Sequence, residues 1–143
     1  LQAVVQAGPD IINHNLEVPE SFYSKINRPR GNYKRSLQVL ALVKERGIPA
    51  KSGLMLGLGE TEKDIEQTLI DLRLVSCDLL TLGQYLQPSK AHVPVRKYYS
   101  PSEFNLLKKK ALSLGFKGVE AGPLVRSSYR AHRLYQITCE AAG

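Results

Sequence analysis

"AKSGLMLGLGETEKDIEQTLIDLRLV", residues 50–75, contains the two kinds of element that decide the fold. Its first half is a short apolar run with glycines, which is typical of a buried strand that leads into a loop. Its second half places Ile65, Leu69 and Leu72 on one face of a helix, with Thr61 as the expected N-cap. The stretch is therefore predicted to form a strand followed directly by a helix.

The same alternation of strands and helices extends over the rest of the chain. Further strands are predicted at 10–17, 78–86 and 116–122, a short helix at 19–26, and longer helices at 32–47 and 100–115. Strands separated by helices indicate right-handed βαβ units in a parallel sheet. Four strand units are too few for a complete eight-stranded barrel, which typically has about 250 residues. The sequence therefore predicts an α/β fold, either an open sheet or part of a barrel.

The composition is that of one globular domain, with 143 residues of which 43% are hydrophobic. No apolar run approaches the roughly 20 residues that span a bilayer, so no membrane partner is expected. The formal charge of +7 favours an acidic partner or an anionic cofactor, but basic and aromatic residues do not alternate as they do in single-strand nucleic-acid binders. Cys77 and Cys139 lie far apart, a pattern that suits a reducing cytosol, and we expect a cytoplasmic protein.

Polar side chains follow the predicted strands at their carboxyl ends, where ligands gather in parallel α/β folds. A period of two places Asn13, Asn15 and Glu17 on one face of the first strand. These side chains could face a cavity and bond a ribose, a carboxylate or an ammonium group, or they could bond their own loop, and the pattern leaves both open. Arg28 is suited to bidentate carboxylate recognition. The glycines of 57–60 indicate close backbone approach to a ligand.

Five motifs carry a resemblance to a known family. They are "NHNLE" (13–17), "RPRGNY" (28–33), "KSGLMLGLGET" (51–61), "LTLGQYLQPS" (80–89) and "GPLVRSSYRA" (122–131). Together, in this order and at these separations, they resemble the carboxyl-terminal half of the lipoyl synthases, a family of radical S-adenosylmethionine (SAM) enzymes. The resemblance runs from about residue 3 to residue 131.

The resemblance implies a fold and a reaction. Residues 1–121 are expected to be the later part of a radical-SAM barrel, a partial TIM-type barrel, and residues 122–143 a closing segment with a tail. The expected cofactors are SAM and two 4Fe–4S clusters. One cluster cleaves SAM to a radical that abstracts hydrogen from carbons 6 and 8 of a protein-bound octanoyl group, and the other supplies two sulfur atoms. The expected partners are an octanoylated lipoyl carrier domain or glycine-cleavage H protein and a reductant such as ferredoxin or flavodoxin.

The resemblance also assigns roles to residues. A serine of "RSSY" is expected to be a metal ligand to the sulfur-donating cluster. Ser128 is our choice, and Ser127 is the alternative, because the orientation of the segment does not follow from sequence. The expected cofactor-binding residues are Asn13, Asn15 and Glu17 for ribose hydroxyls and the methionyl amine, and Arg28 for the methionyl carboxylate.

The cysteine arrays that hold both clusters in the family are absent from this sequence. We therefore expect a fragment of a longer lipoyl synthase that is inactive alone. The alternative is an inactive truncated remnant that only binds the carrier domain. A flavodoxin-like or phosphate-binding module would use the glycine loop alone and leaves "RSSY" unexplained.

Overall fold

The computed structural model describes residues 1–26 and 28–142, in which helices and strands alternate. The helices are α1 (Gln2–Gln6), α2 (Tyr33–Glu45), α3 (Glu62–Leu74), α4 (Pro101–Ser113) and α5 (Ala131–Ala142), and the strands are β1 (Ile12–Asn13), β2 (Ala50–Leu56), β3 (Leu79–Gln84) and β4 (Gly118–Gly122). The strands form one sheet in the order β1-β2-β3-β4, and every neighbouring pair is parallel. The predicted α/β fold with a parallel sheet is confirmed. Within the described ranges, no helix has both the length and the apolar character needed to cross a membrane.

The helix starts are fixed by side-chain caps. The Thr61 hydroxyl accepts a hydrogen bond from the Asp64 amide at 3.2 Å, and the Asp64 carboxylate accepts from the Thr61 amide at 2.8 Å. Ser100 and Glu103 form the same reciprocal box at the start of α4, with Pro101 at the first helical position. Each box satisfies amides that a helix leaves unpaired at its N-terminus. The predicted cap at Thr61 is confirmed, and Ser100 caps α4 in the same way.

The main hydrophobic core lies between the helices and one face of the sheet. Its fully buried members include Leu40 and Val43 of α2, Leu54 and Leu56 of β2, Leu69 and Leu72 of α3, Leu80 and Leu82 of β3, and Phe104 of α4. Alternate residues of β2 and β3 supply this face, as the strand period of two requires. The remaining residues of the strands point to the opposite, inner face.

The inner face is covered at its amino-terminal half by α5. A Cβ on Gly118 would lie 2.8 Å from Leu134 Cδ2 and 3.4 Å from Ile137 Cδ1, so the helix packs directly on β4. The Tyr135 hydroxyl donates to Asp10 Oδ1 at 3.1 Å, which ties α5 to the segment before β1. Residues 131–142, expected to belong to a closing segment with a tail, form this helix because Leu134, Ile137 and Thr138 share one face.

The first strand is much shorter than its predicted range of 10–17. Ladder pairing is limited to Ile12 and Asn13, and one further bridge joins Glu17 to Leu54. The ladder is interrupted because Glu17 follows Asn13 by four residues whereas Leu54 follows Lys51 by three, so one residue of the first segment is left unpaired. Glu17 itself adopts a left-handed backbone conformation, with φ of 72°. The predicted short helix at 19–26 is a single 3₁₀ turn, Glu20–Phe22.

Candidate functional site

A cavity of about 220 Å³ lies on the inner face of the sheet, at the carboxyl ends of the strands. One wall is formed by Asn15 and Glu17, the floor by β2 and β3, and the opposite wall by residues 125–127 of the segment after β4. Parallel α/β folds bind their ligands at this edge, where loops bring polar groups together above an apolar sheet. The cavity is therefore the first candidate for a cofactor site.

Asn15 brings an unpaired acceptor to the cavity. Its Oδ1 atom is buried and has no hydrogen-bond partner among the described residues. A Cβ on Gly53 would lie 3.0 Å from this oxygen and 2.7 Å from the Thr81 hydroxyl, so both polar groups converge over Gly53. An unsatisfied buried acceptor costs about 1–3 kcal/mol. A ligand with a hydroxyl or ammonium donor would remove this cost.

Glu17 is held at the cavity by a strained backbone. Its amide donates to Gly53 O at 3.0 Å, and its carbonyl accepts from the Met55 amide at 2.7 Å. These bonds hold Glu17 against β2 in a left-handed conformation, which costs a non-glycine residue roughly 1–2 kcal/mol. Strain that the surrounding structure maintains is frequent at binding sites.

Arg28 and Asn13 lie outside this cavity. The Arg28 guanidinium donates from Nη1 to the carbonyls of Asn15 and Leu16, each at 3.4 Å, and so supports the backbone that carries Asn15 and Glu17. Arg28 lines an adjoining cavity of about 360 Å³, which shares the Glu17 wall with the first. Asn13 pairs with Lys51 in the ladder and its side chain is exposed. Of the four predicted cofactor residues, the structure brings Asn15 and Glu17 together in one cavity.

Glu60 organises the glycine loop, a role that the sequence analysis missed. Its carboxylate accepts from the amides of Gly57 at 2.6 Å and Leu58 at 2.9 Å, and from the Tyr99 hydroxyl at 3.0 Å. Burial, and then the Glu60 charge, raise the pKa of Tyr99. A Cβ on Gly57 would collide with Gln84 and with the Lys97 carbonyl, so the close approach at this glycine is to the protein itself. The amides of Gly57 and Leu58 are therefore not free to cradle an anion.

Residues 122–130, the part of the expected closing segment that precedes α5, return over the inner face of the sheet. The term closing segment refers to these residues from here on. The Val125 carbonyl lies against Gly83, and Lys51 Nζ of β2 donates to the Ser127 carbonyl. Ser127 and Ser128 are both exposed. Ser127 also lines the cavity, and the Ser128 carbonyl accepts from the Ala131 amide at 3.3 Å. The role of Ser128 as a ligand of the cluster stays a prediction.

Lys51 is the second residue that the sequence analysis missed. It is only 3% exposed, and burial lowers the pKa of its amine. The signal was visible as a lysine at the start of an apolar strand, "AKSGLML", at a position where a parallel strand is buried on both faces. A charge there needs a polar partner, which the Ser127 carbonyl provides.

The two cysteines do not contribute to the cavity. Cys77 is fully buried, its thiol lies 3.5 Å from the Ala50 carbonyl oxygen, and burial raises its pKa to about 12. Cys139 is exposed on α5. Across the part of the chain that the structure describes, no group of three or more His, Cys, Asp or Glu side chains could hold a metal ion. The described residues therefore do not form a complete iron–sulfur site by themselves.

Comparison with known proteins gives the family. The model of the radical SAM superfamily matches residues 1–72. Lipoyl synthase of Bacillus mycoides (strain KBAB4) is 54% identical over 133 residues, and that of Bacillus cereus (strain B4264) is 53% identical over the same length. Each alignment covers 92% of this chain and 44% of the relative, so the chain spans less than half the length of these curated relatives.

A solved structure of HMG-CoA lyase from Brucella melitensis aligns over 98% of this chain and 49% of its own, with a TM-score of 0.49 and 13% sequence identity. The resemblance to lipoyl synthases predicted from five motifs is confirmed by the relatives, and the parallel sheet is consistent with part of a TIM-type barrel. Because the family model matches half of the chain, this protein belongs to the radical SAM superfamily.

Proposed function

We propose that this chain is part of a lipoyl synthase, which inserts two sulfur atoms at carbons 6 and 8 of a protein-bound octanoyl group in a SAM-dependent radical reaction. The relatives named lipoyl synthase support this proposal over 92% of the chain. The observation that carries it is the cavity in which the unpaired Asn15 acceptor and Glu17 face residues 125–127 of the closing segment. In this arrangement a bound cofactor would lie next to the "RSSY" motif.

The cavity residues fit the polar parts of SAM. The Asn15 oxygen would accept from a ribose hydroxyl, and the Glu17 carboxylate would hold the methionyl ammonium. Arg28 would bind the methionyl carboxylate from the adjoining cavity. Asn13, at the exposed end of β1, would form a hydrogen bond with a ribose hydroxyl or with the methionyl amine. SAM, together with an iron–sulfur cluster, supplies the hydrogen-abstracting chemistry when bound. The chain's own residues would bind and orient it.

Besides Arg28, which would reach the methionyl carboxylate, the adjoining cavity has an apolar part that fits an acyl chain. Ile26, Met55 and Val93 contribute apolar side chains to its lining. Small-molecule sites are mostly apolar with a few placed polar groups, as here with Glu17 and Arg28. An octanoyl chain in this cavity would lie beside the SAM cavity, across the shared wall formed by Glu17 and Met55.

The closing segment would supply Ser128 as the oxygen ligand of the sulfur-donating cluster, with Ser127 as the alternative. Ser128 is exposed, so its hydroxyl is open to a group held by the rest of a longer protein. Iron–sulfur clusters are normally held by cysteine thiolates. A serine oxygen among thiolates would be the ligand most easily replaced when the cluster gives up sulfur. Of the two 4Fe–4S clusters in this proposal, all ligands except this serine come from outside the chain.

The proposal includes the partners and the location expected from the resemblance. The charge of +7 favours an acidic carrier, either an octanoylated lipoyl domain or glycine-cleavage H protein. Ferredoxin or flavodoxin would be the reductant. Cys77 and Cys139 are free thiols, as expected of the reducing cytoplasm.

The test is a turnover assay with the full-length protein that contains this chain. The reconstituted protein is incubated without oxygen with SAM, a reductant and an octanoylated carrier domain, and the carrier mass is measured. We expect the octanoyl group to be converted to a lipoyl group. Binding of the carrier without any change in its mass would instead support the alternative, an inactive remnant that only binds.

A further inference from the structure

We propose that Lys51 is a positioning residue that holds the closing segment over the inner face and sets the direction of the Ser128 side chain. The contact between Lys51 Nζ and the Ser127 carbonyl is independent of the proposed function. The consequence for sulfur insertion rests on that function, because it requires Ser128 to be a cluster ligand.

The surroundings of Lys51 explain why this contact is important. Lys51 lies on the inner face, in register with Asn13 of β1 and Leu79 of β3, and is 3% exposed. Within residues 1–26 and 28–142, no ion pair includes it. A buried cation without a carboxylate partner depends on hydrogen bonds to polar groups for its compensation. The Ser127 carbonyl is the acceptor that the structure provides.

The second half of the closing segment has few other anchors. Residues 126–130 are all exposed, and the Tyr129 amide bonds the Arg126 carbonyl within the same turn at 2.9 Å. The Arg126 guanidinium donates to the neighbouring Val125 carbonyl at 2.8 Å. In the described part of the chain, the bond from Lys51 is the one hydrogen bond between residues 126–130 and the sheet. Its loss would release this turn without breaking the strand ladder.

The position of the accepted carbonyl links Lys51 to Ser128. The Ser127 carbonyl belongs to the peptide group that joins Ser127 to Ser128. Because a peptide group is planar, fixing its carbonyl oxygen also fixes the direction of the bond to the next residue. Lys51 therefore fixes where the chain enters Ser128, and so restricts the positions that the Ser128 side chain can reach relative to the cluster that it is proposed to bind.

Amide hydrogen exchange of the full-length protein, without SAM or clusters, tests the tether directly. In Lys51→Met, we expect the two hydrogen-bonded amides of this turn, those of Tyr129 and Ala131, to exchange faster by roughly tenfold to a hundredfold, with β2 and β3 amides unchanged. Lys51→Arg keeps a cationic donor and should restore most of the protection. Lys109→Met, at an exposed position of α4, is the matched control and should change nothing in this segment. If Lys51→Met does not fold, Lys51→Gln, whose amide is too short to reach the carbonyl, replaces it.

Two results would overturn the proposal. Unchanged exchange at the Tyr129 and Ala131 amides would show that the bond does not hold the segment. An equal increase throughout β2 and β3 would show that Lys51 stabilises the whole sheet and does not act on the segment in particular. Turnover assays of the same variants separate this proposal from the proposed function. Faster exchange with reduced lipoyl formation, at unchanged formation of 5′-deoxyadenosine, supports both. Faster exchange with normal lipoyl formation supports the tether and contradicts Ser128 as a cluster ligand.

Discussion

The backbone carbonyl of Val125 lies so close to the α-carbon of Gly83 that no Cβ fits between them. This contact places the closing segment directly on β3, at the edge of the candidate cofactor cavity. It also explains a glycine in the middle of "LTLGQYL", where the buried strand would otherwise favour a larger side chain.

Gly83→Ala should therefore displace the closing segment. The added methyl group would collide with backbone rather than with a flexible side chain, and such overpacking costs about 1–3 kcal/mol. Urea unfolding of the full-length protein measures the loss. Gly122→Ala is the matched control, because its Cβ would lie 3.4 Å from Val125 Cγ2, an ordinary contact. Equal stability of the two variants would contradict this account of the segment.

Glu17 should show opposite effects on stability and on binding. Glu17→Gly relieves the left-handed strain and should stabilise the fold by about 1 kcal/mol. It also removes the carboxylate that we propose holds the SAM ammonium. Because a charge-assisted bond is worth about 1.5–3 kcal/mol, affinity should then fall roughly tenfold to a hundredfold. Glu17→Ala should lose the same affinity without the gain in stability. Equilibrium binding and urea unfolding of each variant provide both readouts.

Ser76→Gly is the control for this pair. Ser76 is exposed and has φ of 59°, so its replacement should relieve similar strain without any effect on SAM affinity. If Glu17→Ala binds SAM as tightly as the unmodified protein, Glu17 has a structural role alone.

The two thiols should differ in reactivity toward iodoacetamide. Cys139 is exposed and should be alkylated in the native protein, whereas buried Cys77, with its pKa raised to about 12, should react only after unfolding. The folded state favours the neutral Cys77 thiol. The raised pKa of Cys77 therefore contributes in full to the free energy of unfolding below the ordinary thiol pKa, and this contribution is lost as the pH rises from there toward 12. Rapid alkylation of Cys77 in the native protein at neutral pH would contradict its place in the core.

The 143-residue chain alone should assemble no iron–sulfur cluster. Its described residues contain no group of three or more His, Cys, Asp or Glu side chains that could bind a metal ion. Iron and sulfide analysis after anaerobic reconstitution of the chain measures this. Stoichiometric iron and sulfide in the purified chain would show that it holds a cluster site of its own.

Local patterns predicted the main elements of the fold. The caps at Thr61 and Ser100 and the apolar runs of β2 and β3 depend on neighbouring residues, so they could be read directly from sequence. The pairing of β1 could not, because the left-handed conformation of Glu17 is imposed by hydrogen bonds to Gly53 and Met55, far away in sequence. Helix α5 was not predicted because its apolar face is buried by packing against Gly118, a contact between residues far apart in the sequence.

Local patterns likewise predicted only some of the residues of the candidate site. Strand alternation placed Asn15 and Glu17 on one side, and both line the cavity. Alternation also selected Asn13, whose side chain is exposed because β1 lies at the edge of the sheet. The roles of Lys51 and Glu60 depend on contacts with Ser127 and Tyr99, which lie 76 and 39 residues away in the sequence. Patterns within one element do not reveal such contacts.

The paired substitution of the two serines tests the central claim most directly, namely that the closing segment binds the sulfur-donating cluster through Ser128. In the reconstituted full-length enzyme, 5′-deoxyadenosine and lipoyl product are measured side by side for Ser128→Ala and Ser127→Ala. We expect Ser128→Ala to form 5′-deoxyadenosine and no lipoyl product, and Ser127→Ala to form both. Normal lipoyl formation by Ser128→Ala would contradict the claim, and its loss in Ser127→Ala alone would assign the ligand to Ser127.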